Sequence, residues 1–273
     1  MRKKILIVAK TYPTKSKKYT ELVCTAGVDE DGNWYRIYPI PTKTLKEYEG
    51  LKKYTWVDAE IKKDSSDARP ESYKINISSV ELLDTISVDN NWSYRKDVVL
   101  KSKMYKNLAE IIDLANQENT LSLCLFKPSK FLHVYFESKN TEELTEEEKK
   151  AYKNANLNLF EHNSNCEVDF KAMPSLPYSI KLEFEDDEGK KSKMGILDWE
   201  ISQLYWNLKQ KKKNDKEIKQ GIKDKLFWMI EERELYLYLG TMKMMQIRKM
   251  KNPFTIIGLF YPPKDTGYTE SLF

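Results

Sequence analysis

Three stretches of this chain hold residue types that can do chemistry. Asp58-Ala59-Glu60-Ile61-Lys62 contains a Glu-x-Lys element, in which Asp58 and Glu60 would bind a divalent cation and Lys62 would assist, as in metal-dependent nucleases. The same alternation arises on any solvent-exposed strand face, and no acidic partner precedes it in a helix-flanked strand pair. Asp198-Trp199-Glu200 presents two carboxylates, the material of an acid–base or metal site, although Asp198 capping the next helix explains the same residues with less. Cys24 beside Thr25 has no histidine nearby in sequence to activate its thiol. Only His133 and His162 are present, so a histidine relay has little to draw on, and both read as packed or surface imidazoles. There is no Walker A loop, dinucleotide glycine fingerprint or Gly-x-Ser-x-Gly elbow. No catalytic residue, metal ligand or cofactor is assigned on this reading.

Binding chemistry has more to work with. In Trp34-Tyr35-Arg36-Ile37-Tyr38 the period of a strand puts Trp34, Arg36 and Tyr38 on one face and Tyr35 and Ile37 on the other. Aromatic rings beside a cation form a stacking platform: bases offer a π face and phosphates seek positive charge. Lys10, Tyr12, Tyr54, Trp56, Arg69, Trp199 and Arg248 extend this set of nucleic-acid contacts, with RNA and DNA both open. The competing reading is that strand Trp and Tyr side chains pack in cores, and that Arg69, beside Pro70 and Glu71, spends its charge on an internal carboxylate. Net charge is only +4, but residues 1–20 carry seven cations and no acid, and further basic blocks lie at 209–225 and 243–251.

The elements that must position these residues are mostly strands. Runs at Ile5–Lys10, Leu22–Val28, Trp34–Ile40, Tyr54–Lys62 and Tyr73–Leu83 are β-like, with an Asp-Gly turn at 29–33. A helical stripe over 105–115 precedes strands at Leu121–Phe126 and Phe131–Phe136. Strands at Tyr178–Phe184 and Lys193–Leu197 follow, then two helices, one capped by Asp198 and one by Asp215, and closing strands at Leu235–Leu239 and Phe254–Tyr261. A charged, Asn-rich segment holds a helix at Thr145–Leu157. The expected organisation is therefore an N-terminal unit at 1–138, a linker at 139–165 and a C-terminal unit at 166–273. The class is mainly β with helical insertions (α+β), built as two small β-barrels of the oligonucleotide/oligosaccharide-binding (OB) kind, five strands with a helix between the third and fourth.

With 40% hydrophobic and 12% aromatic residues, 273 residues can bury a substantial core, which argues against disorder. No apolar run approaches the roughly 20 residues of a membrane span, and the run after Met1-Arg2-Lys3-Lys4 stops at about five residues, short of a signal peptide. Cys24, Cys124 and Cys166 are too far apart for a disulfide framework or a metal knuckle, so a cytoplasmic location is the default expectation.

At Lys10-Thr11-Tyr12-Pro13-Thr14, Cys24-Thr25-Ala26-Gly27, Trp34 to Pro39, Arg69-Pro70-Glu71-Ser72-Tyr73, Leu197-Asp198-Trp199-Glu200, Leu239-Gly240-Thr241 and Ile256 to Pro263, the chain resembles an uncharacterised prokaryotic dual OB-containing domain family over nearly its whole length. The resemblance implies two OB-like barrels and a nucleic-acid role. The histidine that family places after Leu-Gly-Thr has no counterpart here, where Met244, Met245 and Gln246 stand. The function expected is non-catalytic nucleic-acid binding, with a metal-assisted nuclease and a small-ligand or nucleotide sensor as alternatives, a protein partner allowed and no membrane.

Overall fold

The computed structural model describes residues 1–16, 20–41, 51–139 and 175–264. The helix expected at Thr145–Leu157, the 139–165 segment beyond Lys139, His162 and Cys166 lie outside the described residues.

Five strands of the first third close on themselves. They are β1 (Arg2–Lys10), β3 (Thr20–Val28), β4 (Trp34–Pro41), β5 (Thr55–Lys63) and β6 (Ser72–Ile75), paired in the order β1-β3-β4-β6-β5 and back to β1, with β4 and β6 parallel. The short β2 (Thr14–Ser16) pairs with β3, and β7 (Glu81–Thr85) with β5. The uninterrupted apolar run Ile5 to Ala9 follows from burial on both faces. Ile5 and Ile7 point into the barrel with Val23, Tyr35, Ile37, Val57 and Ile61. Leu6 and Val8 point outward, onto Leu123, Leu125, Tyr238 and Phe260 from the later part of the chain. Each such side chain contributes about 1.5–3 kcal/mol on leaving water, so β1 is tied to both cores at once.

The later part builds two sheets around a further core. β8 (Met104–Tyr105), β9 (Leu123–Phe126), β13 (Tyr236–Thr241) and β14 (Phe254–Phe260) pair in the order β14-β13-β9-β8. β10 (Lys130–Ser138), β11 (Tyr178–Glu185) and β12 (Lys191–Gly195) form the second sheet, and an Ile196–Ile256 bridge joins the two. Phe126, Leu182, Phe184, Leu237 and Ile256 share one core with Ile201, Ile218 and Ile222 of the helices packed against it. The architecture is mainly β with a closed five-stranded barrel and a few helices, as the sequence predicts.

Some elements differ from expectation. The strand expected at 73–83 is broken into β6, a 3-10 turn at Ile77–Ser79 and β7. Helix α1 (Asp89–Val99) was not expected, because its first residues, Asn90, Asn91 and Trp92, take the left-handed conformation and no apolar stripe marks it. The helix expected over 105–115 is a shorter α2 (Leu108–Asp113) running into a π-turn. Helix α3 (Trp199–Gln210) is capped by Asp198, whose Oδ1 accepts from the Ile201 amide at 3.0 Å. The next helix, α4 (Asp215–Glu231), is capped by Asn214 rather than Asp215, in a reciprocal box with Glu217. A five-residue helix, α5 (Lys243–Ile247), separates β13 from β14.

Candidate functional site

Where β1, the segment before β5, α1 and α3 meet, they enclose a cleft of about 370 Å³. Lys10, Lys52, Lys53 and Arg95 line it together with Tyr54, Trp92, Trp199, Tyr261 and Glu200. Cations and rings interleave throughout. The Arg95 guanidinium lies 4.0 Å from the centroid of the Tyr54 ring and 4.8 Å from that of Trp92, and Lys10 Nζ lies 5.2 Å from that of Trp199. Trp92 in turn packs on Tyr261 at 5.3 Å.

Two of these rings sit on a backbone that L-residues avoid. Tyr54 has φ 65° and Trp92 φ 63°, the latter after Asn90 and Asn91 in the same conformation. Bulky residues there cost on the order of 1–3 kcal/mol each, and such strain gathers at functional sites. Although Trp92 lies outside helical geometry, its ring and the Arg95 guanidinium both reach Tyr54, with ring centroids 6.2 Å apart for Tyr54 and Trp92.

The floor is a buried ion cluster. Lys53 Nζ donates to Glu200 Oε2 at 3.1 Å and to the Leu259 carbonyl at 3.2 Å, and it lies 3.6 Å from Asp198 Oδ2. Burial opposes the Lys53 charge, but Asp198, Tyr54 and Glu200 outweigh burial and hold the ammonium above the ordinary lysine range. Lys53 is thus spent internally. Lys10 behaves oppositely: burial, countered by Glu200 and reinforced by the neighbouring Lys53 charge, brings its amine down to about 8. Arg95 donates through Nε and Nη2 to the Ile86 carbonyl at 3.0 and 2.7 Å and has no ion pair with a carboxylate among the described residues. Glu200 acts on this half-buried guanidinium through space but does not pair with it among the described residues.

Of the contacts proposed from sequence, the structure gathers Lys10, Tyr12 and Trp199. The Tyr12 ring lies 5.9 Å from that of Trp199, and its hydroxyl accepts from Trp206 Nε1 at 2.9 Å. Trp34 and Trp56 pack elsewhere, between the barrel and the later sheets, and Lys4 covers the Trp56 ring at 4.8 Å. Arg36 is buried: its Nη2 donates to the Ser122 carbonyl at 2.7 Å and its Nη1 to Cys24 Sγ at 3.5 Å. Arg69 is also buried, chelating Asp67 at 2.6 Å and donating to the Thr241 carbonyl at 2.8 Å, so its internal partner is Asp67 and not Glu71. Glu71 instead accepts from the Ser122 amide at 3.0 Å. Arg248 is exposed at the end of α5, apart from the cleft, and the Tyr38 side chain lies outside the described residues.

The acidic element on β5 is not assembled for metal chemistry. Asp58 pairs with Arg2 at 3.1 Å, Glu60 accepts from Asn76 at 2.9 Å, and no three metal-ligating side chains gather among the described residues. No described helix is long and apolar enough to cross a membrane.

Residues 105–273 match the model of a family described as "Domain of unknown function (DUF8757)". The chain belongs to the DUF8757 family. Residues 1–101 match a second such family, "Domain of unknown function (DUF8758)". No curated protein matches. A solved structure described as "Structure of murine DNA binding protein bound with ds DNA" aligns over 96% of this chain and 94% of that one, at 8% identity and a TM-score of 0.31, too low to bear on fold or function. The DUF8757 region supplies Trp199, Glu200 and Tyr261 to the cleft, and the DUF8758 region supplies Lys10, Lys52, Trp92 and Arg95. Neither family region completes the cleft alone. Sequence reasoning missed Trp92, Arg95 and Tyr261; the Trp-x-x-Arg spacing at 92–95 was the available signal.

Proposed function

We propose that this protein binds single-stranded nucleic acid, RNA or DNA, in the cleft between its two family regions, stacking bases on Trp92, Trp199 and Tyr261 and holding phosphate with Arg95, Lys10 and Lys52. The observation that carries the reading is Arg95, a guanidinium clamped over two aromatic rings with no carboxylate at ion-pair distance among the described residues. The strand order of the barrel, and the helix pair α3–α4 inserted before the last two strands of the later part, support an OB-type reading of both units.

Titration of labelled single-stranded RNA and DNA at graded salt tests this. Three phosphate-contacting cations predict a log–log salt slope of about −2, at about 0.7 per contact, and Arg95→Ala should reduce it by about 0.7. Trp92→Ala should cost about 1–3 kcal/mol of binding. Absence of binding at low ionic strength, or binding indifferent to salt, contradicts the reading.

Lys10 adds a pH signature. An anion binds the protonated amine, so affinity should be level below pH 8 and fall as pH rises through about 8, the value burial imposes on the free protein. Lys10→Arg, which stays charged, should flatten the profile between pH 7 and about pH 9. An unchanged profile in that variant would remove Lys10 from the site.

A further inference from the structure

Beside the cleft lies a second chamber, of about 440 Å³, under α3 and α4. The two cavities share a wall made by Trp199, Glu200 and Tyr261, but their chemistry differs. The cleft is rimmed by cations. The chamber is floored by Ile201, Leu204, Met229 and Leu259, with the amides of Gln203 and Asn207 at its edge and one cation, Lys225, whose Nζ lies 3.9 Å from the Trp228 ring centroid and 5.6 Å from that of Tyr261. Gln203 Nε2 donates to Asn207 Oδ1 at 3.2 Å, one turn apart on α3. That bond leaves both amides with acceptor and donor capacity, including Gln203 Oε1 and Asn207 Nδ2, for a ligand's edge. A largely apolar pocket with a few convergent polar groups suits a flat heterocycle, and its single lining cation already sits against two rings, where the cleft offers four cations to a phosphate.

Glu200 stands on the divide. Its carboxylate is half exposed, and one oxygen is held by Lys53. A negative charge there repels phosphate and lets a neutral base pass, which keeps a strand's backbone on the Lys10–Arg95 side.

We propose that the chamber takes one nucleobase, splayed from the strand whose phosphates lie in the cleft. This rests on the nucleic-acid reading above and adds a site to it: the cleft holds the backbone and stacks bases, and the chamber buries one of them. The ligand class is therefore a strand of at least two nucleotides and not an isolated polyanion.

The test compares two probes of equal length and charge, a labelled single-stranded 12-nucleotide DNA containing all four bases and a 12-unit strand of abasic tetrahydrofuran residues, each titrated at low ionic strength. Asn207→Trp, at an exposed position, blocks the mouth without entering the core, and Leu204→Trp fills the chamber from within. Each should weaken the base-bearing strand about tenfold, the worth of one buried base, and leave the abasic strand unchanged. Circular dichroism of both variants checks the fold. If Asn207→Trp leaves both strands unaffected, or weakens them equally, the chamber holds no base, while the cleft reading stands as long as the unaltered protein binds. If the unaltered protein binds neither strand, the cleft reading fails and takes the chamber with it.

Discussion

Lys53→Met lowers the free energy of unfolding by about 3–5 kcal/mol, read as a fall in the urea midpoint at constant slope. The size follows from what the substitution strands. The Lys53 side chain is 5% exposed and that of Asp198 1%, so methionine leaves a carboxylate in a dry interior with its ammonium gone. The Leu259 carbonyl loses the Lys53 donor as well. Adding Asp198→Asn to Lys53→Met should return most of the loss, because asparagine still caps α3 and carries no charge. A single variant within 1 kcal/mol of the parent, or a double variant worse than the single one, would show that the pair is not what ties the segment before β5 to α3.

Arg69→Met is the second large effect, again about 3–5 kcal/mol. Arg69 Nε and Nη2 grip both oxygens of Asp67 at 2.9 and 2.6 Å, and Nη1 reaches across to the Thr241 carbonyl at 2.8 Å. Truncation takes the counter-charge from a buried carboxylate, which keeps only the Ser72 hydroxyl and the residue-69 amide as donors, and a donor from the Thr241 carbonyl, at the seam of the two family regions. The pH dependence has a definite sign. Burial pushes the Asp67 carboxyl up, but the Arg69 hydrogen bonds and charge, with Ser72, bring it from 3.8 to about 2. A depressed carboxyl contributes stability that is fully present above the unfolded value near 4 and is lost as pH falls from there to about 2. In Arg69→Met that acid limb should shrink or invert. An equally steep loss in parent and variant would assign the acid limb to other carboxylates.

The first barrel was legible because its strands obey a period of two that survives burial on both faces. Ile5 and Ile7 against Leu6 and Val8, and Tyr35 and Ile37 against Trp34 and Arg36, each sort correctly into opposite faces. Alternation says nothing about what covers a face. The Trp34–Arg36 face looked like a platform for a ligand, yet it meets the later sheets, and Ser122 takes the guanidinium. The cation among aromatics was a sound clue to an anion-like partner, and the partner is a carbonyl of the same chain. At the cleft the case is reversed. Lys10, Tyr12 and Trp199 stood out as residue types, but Trp92, Arg95 and Tyr261 reach them only through tertiary packing. Residues 90–92 also hide the start of α1, because three left-handed residues give no helical periodicity to read. The capping role of Asp198 was visible locally; its pairing with Lys53, 145 positions earlier, was not.

Photocrosslinking of a 5-bromouracil-substituted single strand, followed by mass spectrometry of the adducts, tests the central claim most directly. Bases stacked in the cleft should yield crosslinked peptides containing Trp92, Trp199 or Tyr261, in amounts that fall with added salt and in Arg95→Ala. Adducts confined to other surfaces, such as the Arg248 end of α5, with none from those three aromatic residues, would contradict the account.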